Sequence, residues 1–378
     1  MKLMHLSDLH LGKRVNEFSQ IEDQAYILNQ IVECIATEQP DAVLIAGDVY
    51  DKPVPPIEAV QLLNSFLCDL SRLKKTVCII SGNHDSAERV TFGAALMQSS
   101  GIFFAPVYNG SVSPIVLQDT YGPVNVYMLP FIKPAQIRSI FPDESVDSYT
   151  DAVRVAISHM QIDITQRNVL VAHQFVTGAV RSESEEISVG GTDNVDVSVF
   201  APFDYVALGH LHGPQHVEKE TVRYCGTPLK YSFSECDHKK SVTMVDVLQK
   251  GNVQVKTVPL VPLRDLRKIR GTYESVTFKK NYEDTDTSDY VQITLTDEND
   301  VPDALAKLRI IYPNLMKLEY DNARTRSNAE LEIPQRMEQL SPLDLFCDFY
   351  QMQNNQPLSD EQKRYVQKQI ENIWETSA

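Results

Sequence analysis

Two short apolar segments, each ending in polar residues, constrain the fold of this chain more than any other feature. Residues 41–48 are Asp-Ala-Val-Leu-Ile-Ala-Gly-Asp, and residues 76–83 are Thr-Val-Cys-Ile-Ile-Ser-Gly-Asn. Continuous apolar runs of this length are typical of parallel strands that are buried on both faces. Between them, a pair of prolines precedes apolar side chains at helical spacing from Val60 to Leu70. This strand–helix–strand order predicts an α/β fold with a largely parallel sheet.

The alternation of helical and strand patterns continues on both sides of this unit. Residues 21–35 place apolar side chains on one helical stripe, which predicts a helix. Three more strands are predicted at residues 124–129, 168–172 and 205–208, and a hairpin at residues 242–258 with its turn near Gly251-Asn252.

A reversal of charge near residue 263 predicts a second unit. Six basic and two acidic residues lie between positions 263 and 280, whereas eight carboxylates and no Lys or Arg lie between positions 281 and 303. Such reversals mark a new domain or an exposed linker. We interpret the stretch Arg264–Arg270 as a solvated linker, with phosphate binding as the alternative. A strand around Ile293, a helix at 302–312 and a strand at 315–320 then predict a small α+β domain.

The last forty residues carry the signatures of two short helices. Ser341-Pro342 and Ser359 are typical helix starts. The second helix would place Val366, Ile370, Ile373 and Trp374 on one face, which suits either docking onto a partner coiled coil or packing on the chain's own domain. The expected division is therefore residues 1–262, 263–335 and 336–378.

Composition excludes several classes of protein. Against 35 Lys and Arg stand 51 Asp and Glu, a net charge of −16, which argues against a surface that binds nucleic acid everywhere but allows a focused site. The sequence has no run of 18 apolar residues and no apolar leader, so we expect neither a membrane span nor secretion. The six cysteines form no CxxC pair and are expected to be reduced thiols of a cytoplasmic protein.

Five polar clusters stand where predicted strands end. Because ligands bind at the carboxyl ends of strands in an open α/β sheet, we expect these clusters to converge on one edge. Alone, Asp8-x-His10 could arise by chance and Gly47-Asp48 is ordinary turn chemistry, whereas Gly82-Asn83-His84-Asp85 is more specific, and five clusters in this arrangement indicate a site. They are Asp8-Leu9-His10, Gly47-Asp48, Gly82-Asn83-His84-Asp85, Ala172-His173-Gln174 and Gly209-His210-Leu211-His212.

The residue types in these clusters indicate metal binding. Carboxylate, imidazole and amide oxygen suit divalent manganese, iron or zinc, and no cysteine is among them. Seven candidate ligands are too many for one ion but match two ions that share a bridging carboxylate. Two such ions can hold a phosphoryl centre between them, so hydrolysis of a phosphoester is the chemistry we expect.

The series Asp-x-His, Gly-Asp-x-x-Asp, Gly-Asn-His-Asp, Ala-His, Gly-His-x-His resembles the calcineurin-like metallophosphoesterase superfamily. Within it, the chain is similar to the bacterial SbcD nuclease family, through residues 5–12, 46–51 and 81–86, the small second domain and the helical tail from Ser341. The resemblance covers nearly the whole chain. It implies an α/β fold: a β-sandwich flanked by helices, with a small α+β capping domain and a C-terminal helical tail.

The resemblance also implies roles for the cluster residues. His84 would not be a ligand but would protonate the leaving oxygen, and Asp85 would orient His84, with helix N-capping as the alternative for Asp85. Two divalent ions, expected to be Mn²⁺, would be held by seven side chains. Asp8, His10 and His212 would bind the first ion, Asn83, His173 and His210 the second, and Asp48 would bridge both.

One position departs from the wider family. Archaeal and eukaryotic relatives carry a second catalytic histidine where this chain has Asp51, so a mechanism with two catalytic histidines is not expected here.

Lys13, Arg14 and Arg89 lie beside the motifs and are candidate contacts to a DNA backbone. The histidines outside the motifs are expected to be structural or solvated: His5, His159, His216 and His238.

The implied activity is that of a metal-dependent DNA nuclease, a 3′→5′ exonuclease on duplex ends and an endonuclease on single strands and hairpins, in DNA repair, recombination and replication. The implied partners are DNA, a second copy of the chain, paired through helices after the first two motifs, and an SbcC-type coiled-coil ATPase. The chain itself has no GxxxxGK[ST] loop for ATP. The alternatives are a stand-alone metallophosphatase for a small phosphoester and a non-catalytic scaffold.

Overall fold

The computed structural model describes residues 1–182, 193–323, 325, 341–354 and 357–376, without the side chains of 352–354 and 371–376. The strands are β1 (Lys2–Leu6), β2 (Arg14–Val15), β3 (Phe18–Ser19), β4 (Ala42–Ala46), β5 (Thr76–Ile80), β6 (Ile102–Phe104), β7 (Ile115–Asp119), β8 (Gly122–Leu129), β9 (Arg167–His173), β10 (Phe175–Val176), β11 (Asn194–Val195), β12 (Tyr205–Gly209), β13 (Gln215–Val217), β14 (Lys219–Tyr224), β15 (Ser241–Val247), β16 (Val253–Pro259), β17 (Leu266–Gly271), β18 (Tyr290–Leu295) and β19 (Leu315–Tyr320).

The helices are α1 (Ile21–Glu38), α2 (Ile57–Arg72), α3 (Ala87–Val90), α4 (Ala94–Met97), α5 (Pro134–Ile140), α6 (Tyr149–Ser158), α7 (Tyr273–Thr277), α8 (Ala304–Ile311), α9 (Pro342–Asn354) and α10 (Asp360–Thr376). Short 3₁₀ turns lie at Gln98–Ser100, Val197–Phe200, Phe233–Glu235 and Lys279–Asn281. In the described part of the chain, no helix is both long and apolar enough to cross a membrane.

Two six-stranded sheets form the body of the molecule. The first has the order β16-β15-β1-β4-β5-β6, and the second has the order β13-β14-β12-β9-β8-β7. Four neighbouring strands of each sheet are parallel, while β15, β16, β13 and β7 pair antiparallel. The sheets are therefore mixed, unlike the largely parallel sheet that the sequence predicts. The predicted hairpin is confirmed as β15 and β16, and it extends the first sheet beside β1.

The two sheets face each other, and helices cover their outer faces. In β4, Leu44 belongs to the core between the sheets, whereas Val43 and Ile45 belong to the core beneath α1 and α2. Helices α5 and α6 cover the second sheet in the same way. The central strands of both sheets are therefore buried on both faces, which explains the continuous apolar runs in their sequences. The predicted helix-flanked β-sandwich is confirmed.

A third sheet, β17-β18-β19, is parallel throughout and packs against α7 and α8 around its own core. Leu266, Tyr290 and Met316 join this unit to the core of the main body. The interpretation of Arg264–Arg270 as a linker is wrong, because most of this stretch forms β17. Its arginines are ion-paired: Arg264 with Glu22 and Asp23, Arg267 with Asp289 at 2.6 Å, and Arg270 with Asp321.

Both predicted C-terminal helices are present. Ser341 Oγ accepts the backbone N–H of Asp344 at 3.1 Å, and Ser359 Oγ accepts that of Gln362 at 3.3 Å, as the capping signals predict. Leu343 is buried and anchors α9. The side chains of Ile373 and Trp374 lie outside the described residues.

Candidate metal centre

The predicted site residues come together at one end of the two sheets. This end combines the carboxyl ends of strands from both sheets, whereas the sequence argument expected a single open sheet. Asp8 and His10 follow β1, Asp48 follows β4, Asn83, His84 and Asp85 follow β5, His173 ends β9, and His210 and His212 follow β12.

Several of these residues have unusual backbone conformations. The φ angles are +53° for Asp8, +44° for His10, +48° for Asp48 and +104° for His210. Non-glycine residues rarely adopt positive φ, and such strain concentrates at functional sites. At Gly82, an added Cβ would lie 2.1 Å from Asp48 Oδ1, so only glycine allows the β5 turn to approach that carboxylate.

On one side of Asp48, the side chains of Asn83, His173 and His210 converge. Nδ1 of His173 lies 2.8 Å from the carbonyl oxygen of Ala46, which can only accept, so Nδ1 carries the proton. In the neutral ring, Nε2 of His173 is then an acceptor, yet it faces Asn83 Oδ1 at 2.9 Å and Asp48 Oδ2 at 3.3 Å. Nδ1 of His210 lies 2.9 Å from the same Asn83 oxygen. Four electron-pair donors thus point at one position, as the ligands of a cation do.

On the other side of Asp48, two imidazoles face each other. Nε2 of His212 lies 3.2 Å from Nε2 of His10, which in turn lies 3.7 Å from Asp48 Oδ2. Nδ1 of His212 donates to Glu235 Oε1 at 3.0 Å, so its Nε2 presents a lone pair. Within the described residues, three buried polar atoms of these side chains have no hydrogen-bond partner: Asp8 Oδ2, His10 Nδ1 and His210 Nε2.

The shifted pKa values of the centre also indicate that a bound positive charge would be stabilised there. Burial raises the pKa of Asp8 to about 6 and holds the pKa of His10 well below its usual value. Burial alone would lower the pKa of His173, but the carboxylate of Asp48 raises it to about 9, so without an ion a proton on Nε2 supplies the positive charge that a bound ion would supply to the neutral ring. The pKa of Asp48 lies well below its usual range, because the nearby His173 outweighs the effect of burial. The residues therefore fit two divalent ions, one on each side of Asp48. Close groups of possible ligand atoms form around it: His10, Asp48 and His84, and Asp8, Asp48 and His173.

His84 lies at the partly open face of this centre. Its backbone N–H donates to Asp48 Oδ1 at 2.9 Å, and its Nδ1 lies 3.2 Å from the carbonyl oxygen of Asp51. Nδ1 therefore donates to that carbonyl and leaves Nε2 as the other proton site of the ring. The ring is edge-on to His10, with centroids 4.9 Å apart. His84 is close enough to His10 and Asp48 to bind a metal ion as well as to act as an acid. Its role as an acid therefore stays a prediction.

Asp85 holds two loops together. Its carboxylate accepts the backbone N–H groups of Val49, Tyr50 and Gly82 at 3.1, 2.9 and 2.9 Å. Burial raises its pKa to about 6. The alternative of an N-cap is wrong, because Ser86 precedes helix α3 in that position. Orientation of His84 through this loop remains a prediction.

The candidate DNA-contacting cations already have protein partners. Lys13 Nζ lies 2.8 Å from Asp51 Oδ1, and Arg89 donates to the carbonyl oxygen of Pro53 at 2.6 Å. Arg14 donates to the carbonyl oxygen of Glu17. Asp51, which lies 3.7 Å from His10 Nδ1, therefore places the charge of Lys13 beside His10.

The histidines outside the motifs lie away from the cluster of ligand atoms. His5 is buried between the sheets, with Nδ1 2.9 Å from Tyr205 Oη, and burial lowers its pKa to about 3. His159 stacks on Phe141, and His216 lies 3.3 Å from Glu220. His238 lies 3.5 Å from the ammonium of Lys240.

Sequence reasoning missed Glu235 and Lys240, which pack behind His212. Glu235 is fully buried and contacts both His212 and Lys240. These residues fall in an irregular segment with no strand or motif pattern. No local signal in the sequence singles out Glu235 from the neighbouring Asp237.

Comparisons with known proteins agree with this geometry. Residues 1–214 match the family model described as Calcineurin-like phosphoesterase, and residues 262–354 match the model described as Type 5 capsule protein repressor C-terminal domain. A protein of Staphylococcus saprophyticus, named as the D subunit of the nuclease SbcCD, is 33% identical over 97% of this chain and 97% of its own length. A protein of Staphylococcus epidermidis with the same name is 33% identical over 88% of this chain and 89% of its own length. The chain therefore belongs to the calcineurin-like phosphoesterases and, among them, to the family of SbcCD nuclease D subunits.

Proposed function

We propose that this chain is a two-metal phosphodiesterase that cleaves DNA as the nuclease subunit of a complex with an SbcC-type coiled-coil ATPase. The observation that carries the proposal is the convergence of electron-pair donors on both sides of Asp48. On one of these sides, His173 Nε2 lies 2.9 Å from Asn83 Oδ1 and 3.3 Å from Asp48 Oδ2. The proposal also rests on two relatives that are named as subunits of a nuclease. Their alignments cover 97% and 88% of this chain.

The ligand assignment is the one that the family resemblance implies, and the two sides of Asp48 support it for the histidines and Asn83, whereas Asp8 groups with Asp48 and His173. Bound divalent ions would supply positive charge to the phosphodiester and lower the pKa of water. Asp8, His10 and His212 would hold one ion, Asn83, His173 and His210 the other, and Asp48 would contact both. Manganese is the proposed metal, because carboxylate and amide oxygens, which suit Mn²⁺, are part of both ligand sets and cysteine takes no part.

His84 is the proposed acid of the reaction. Its Nδ1 donates to the carbonyl of Asp51, so a protonated ring would direct its second N–H, on Nε2, towards the cleft. That proton would go to the leaving 3′ or 5′ oxygen. Asp85 would act on the position of His84 by fixing the loop that carries it.

The C-terminal helices are the proposed contact to the ATPase. On α9, Phe346 and Phe349 are 41% and 55% exposed, although the neighbouring Leu343 is buried. Exposed aromatic side chains on a helix are typical of a docking face. The proposed division is a catalytic domain of residues 1–262, a capping domain of residues 263–335 and partner-binding helices of residues 336–378.

A homodimer is part of the proposal. Five apolar side chains, which we call the α2–α4 patch, are exposed on two segments, residues 54–60 and 92–96, and a hydrogen bond from Arg89 to the carbonyl oxygen of Pro53 links these segments. Monomers rarely leave such apolar groups together in water. The patch consists of Val54, Ile57, Val60, Phe92 and Leu96.

The biological setting is proposed from the same family. We infer 3′→5′ exonuclease action on duplex ends and endonuclease action on single strands and hairpins, in repair, recombination and replication of DNA. A cytoplasmic location belongs to this proposal.

The decisive experiment measures manganese-dependent hydrolysis of linear DNA, hairpin DNA and a small aryl phosphodiester by the full chain, alone and with the ATPase and ATP. DNA cleavage that His84→Ala abolishes supports the nuclease. Turnover of the small ester, with DNA left intact even when the ATPase is present, contradicts it and favours the stand-alone phosphoesterase.

A further inference from the structure

A buried ion pair lies directly behind the His212 side of the centre. Glu235 is fully buried, and its Oε2 accepts a hydrogen bond from Nζ of Lys240, itself buried, at 2.6 Å. Moving two charges out of water costs several kcal/mol per ion before their attraction is counted. Such a pair is therefore weak evidence for stability, and its contacts indicate another purpose.

Both members of the pair hold His212. Glu235 Oε1 accepts from the imidazole Nδ1 at 3.0 Å, while Lys240 Nζ donates to the main-chain carbonyl of the same residue at 2.9 Å. Lys240 gives a further hydrogen bond to Thr227 Oγ1 at 2.6 Å. One charge thus fixes the ring and the other fixes the backbone beneath it.

The contact with Glu235 determines which nitrogen of His212 carries the proton. An ionised carboxylate only accepts hydrogen bonds, so Nδ1 is the protonated nitrogen and Nε2 carries the lone pair. That lone pair faces Nε2 of His10 across 3.2 Å. The ring is therefore held in the one tautomer and orientation that can bind an ion together with His10.

The other side of the centre is built differently. Nδ1 of His173 is held by the neutral carbonyl of Ala46, and within the described residues Nε2 of His210 has no hydrogen-bond partner. A carboxylate behind a ligating imidazole raises its basicity, and removing such a partner costs 10–100-fold in metal affinity in known sites. The two halves of the centre are consequently unequal.

We infer that Glu235, held by Lys240, is a positioning residue that gives the ion bound through His10 and His212 the higher affinity of the two, so that the centre fills in a fixed order. This inference rests on the proposed two-metal function. In this inference, the buried pair of Glu235 and Lys240 increases the affinity for that ion beyond what its ligands alone would give.

Titration of the metal-free full chain with Mn²⁺, followed by calorimetry and by the electron paramagnetic resonance of bound manganese, tests the order of filling. The wild-type chain should show two sites of unequal affinity. Glu235→Gln should weaken the tighter site about 10–100-fold and leave the other within about twofold. Asp119→Asn is the matched control, because it removes a carboxylate paired with the buried Arg167 away from the centre; both affinities should stay unchanged.

A second measurement needs no variant of Glu235. Nitrogen-15 NMR of the metal-free wild-type chain, with the signal assigned by its loss in His212→Asn, should show the Nδ1–H tautomer of His212. The Nε2–H tautomer overturns the inference. If Glu235→Gln does not fold, Glu235→Gln/Lys240→Met repeats the titration without an unpaired buried ammonium.

The outcomes separate this inference from the proposed function. A wild-type chain that binds no manganese contradicts the two-metal function itself. Two sites of unequal affinity in the wild type, with both unchanged in Glu235→Gln, overturn only the role of Glu235.

Discussion

Gly209 and Ala46 approach so closely that the two sheets meet without room for a side chain. A Cβ added at Gly209 would lie 1.8 Å from the carbonyl oxygen of Ala46 and 2.7 Å from His173 Nδ1. Because Gly209 ends β12 and Ala46 ends β4, this contact sets the spacing of the strand ends that carry the candidate ligands.

Gly209→Ala is therefore expected to disturb both the fold and the centre. Relief of the clash would push the sheets apart and displace His173, so we expect a loss of about 2–3 kcal/mol in the free energy of unfolding. Denaturant titration measures this loss, and calorimetry should show weaker binding of Mn²⁺. Gly271→Ala is the control, because a Cβ there meets its nearest atom at 3.5 Å. Equal stability of the two variants would contradict the argument.

His84→Ala is expected to keep the metals and lose hydrolysis. The side chain lies at the open face of the centre, and removal of a general acid lowers rates by about 10²–10⁴-fold. Metal content by elemental analysis and turnover of DNA are measured on the same sample. Asn83→Ala provides the contrast, since its oxygen lies 2.9 Å from both His173 and His210 and its loss should reduce metal content. If His84→Ala also lost manganese, His84 would be a ligand.

The sequence allowed prediction of the strands and of the residues that meet at their ends. Buried strands such as β4 have a distinctive apolar pattern, and the polar cluster after each strand must lie at the sheet edge, so the sequence alone places Asp48 and His173 there. The predicted strand at 315–320 coincides with β19.

Contacts between distant segments could not be predicted in this way. Glu235 lies 23 positions after His212, at the end of a short 3₁₀ turn, and no local periodicity specifies that the two side chains meet. Arg264 and Arg270 had the composition of a linker, yet carboxylates from far along the chain pair with them and the stretch forms β17. Asp23 lies 241 positions from its partner Arg264, and Asp321 lies 51 positions from its partner Arg270.

Asp119→Asn is expected to destabilise the protein in a pH-dependent way. Hydrogen bonds from the buried Arg167, at 2.5 and 3.0 Å, hold the pKa of Asp119 well below its usual range. A carboxyl with a lowered folded pKa contributes stability above its unfolded pKa of about 3.9, and that contribution disappears as pH falls towards the folded pKa. The variant should therefore lose about 1–3 kcal/mol near pH 7 and progressively less below pH 4.

Urea titrations of wild type and variant across this range measure the difference. Asp284→Asn, at an exposed aspartate, serves as the comparison and should change stability little at any pH. A deficit in Asp119→Asn that stays constant down to pH 2 would show that the ion pair is not its cause.

Phe349→Glu is expected to abolish association with the ATPase while leaving the fold intact. The side chain is 55% exposed on α9, so a charge there disturbs few internal contacts but opposes an apolar interface. Co-purification of tagged ATPase with the variant measures association, and circular dichroism reports the fold. Tyr365→Glu, at a residue 66% exposed on α10, tests whether the second helix takes part. Unchanged association with Phe349→Glu, and with a chain ending at residue 336, would place the interface elsewhere.

Phe92→Glu is expected to convert a dimer into a monomer. Phe92 is 85% exposed and Leu96 is 81% exposed, and both belong to the α2–α4 patch. Burial of two such patches against each other would stabilise a dimer by roughly 25 cal/mol for each Å² of apolar surface removed from water, and two buried glutamates would oppose it. Sedimentation velocity of the full chain measures the state. Ile310→Glu is the matched control, because Ile310 is 84% exposed but lies on α8, outside the patch; this variant should sediment as the wild-type dimer. A wild-type monomer would contradict the proposed dimer, and a dimer that survives Phe92→Glu would show that the patch is not its interface.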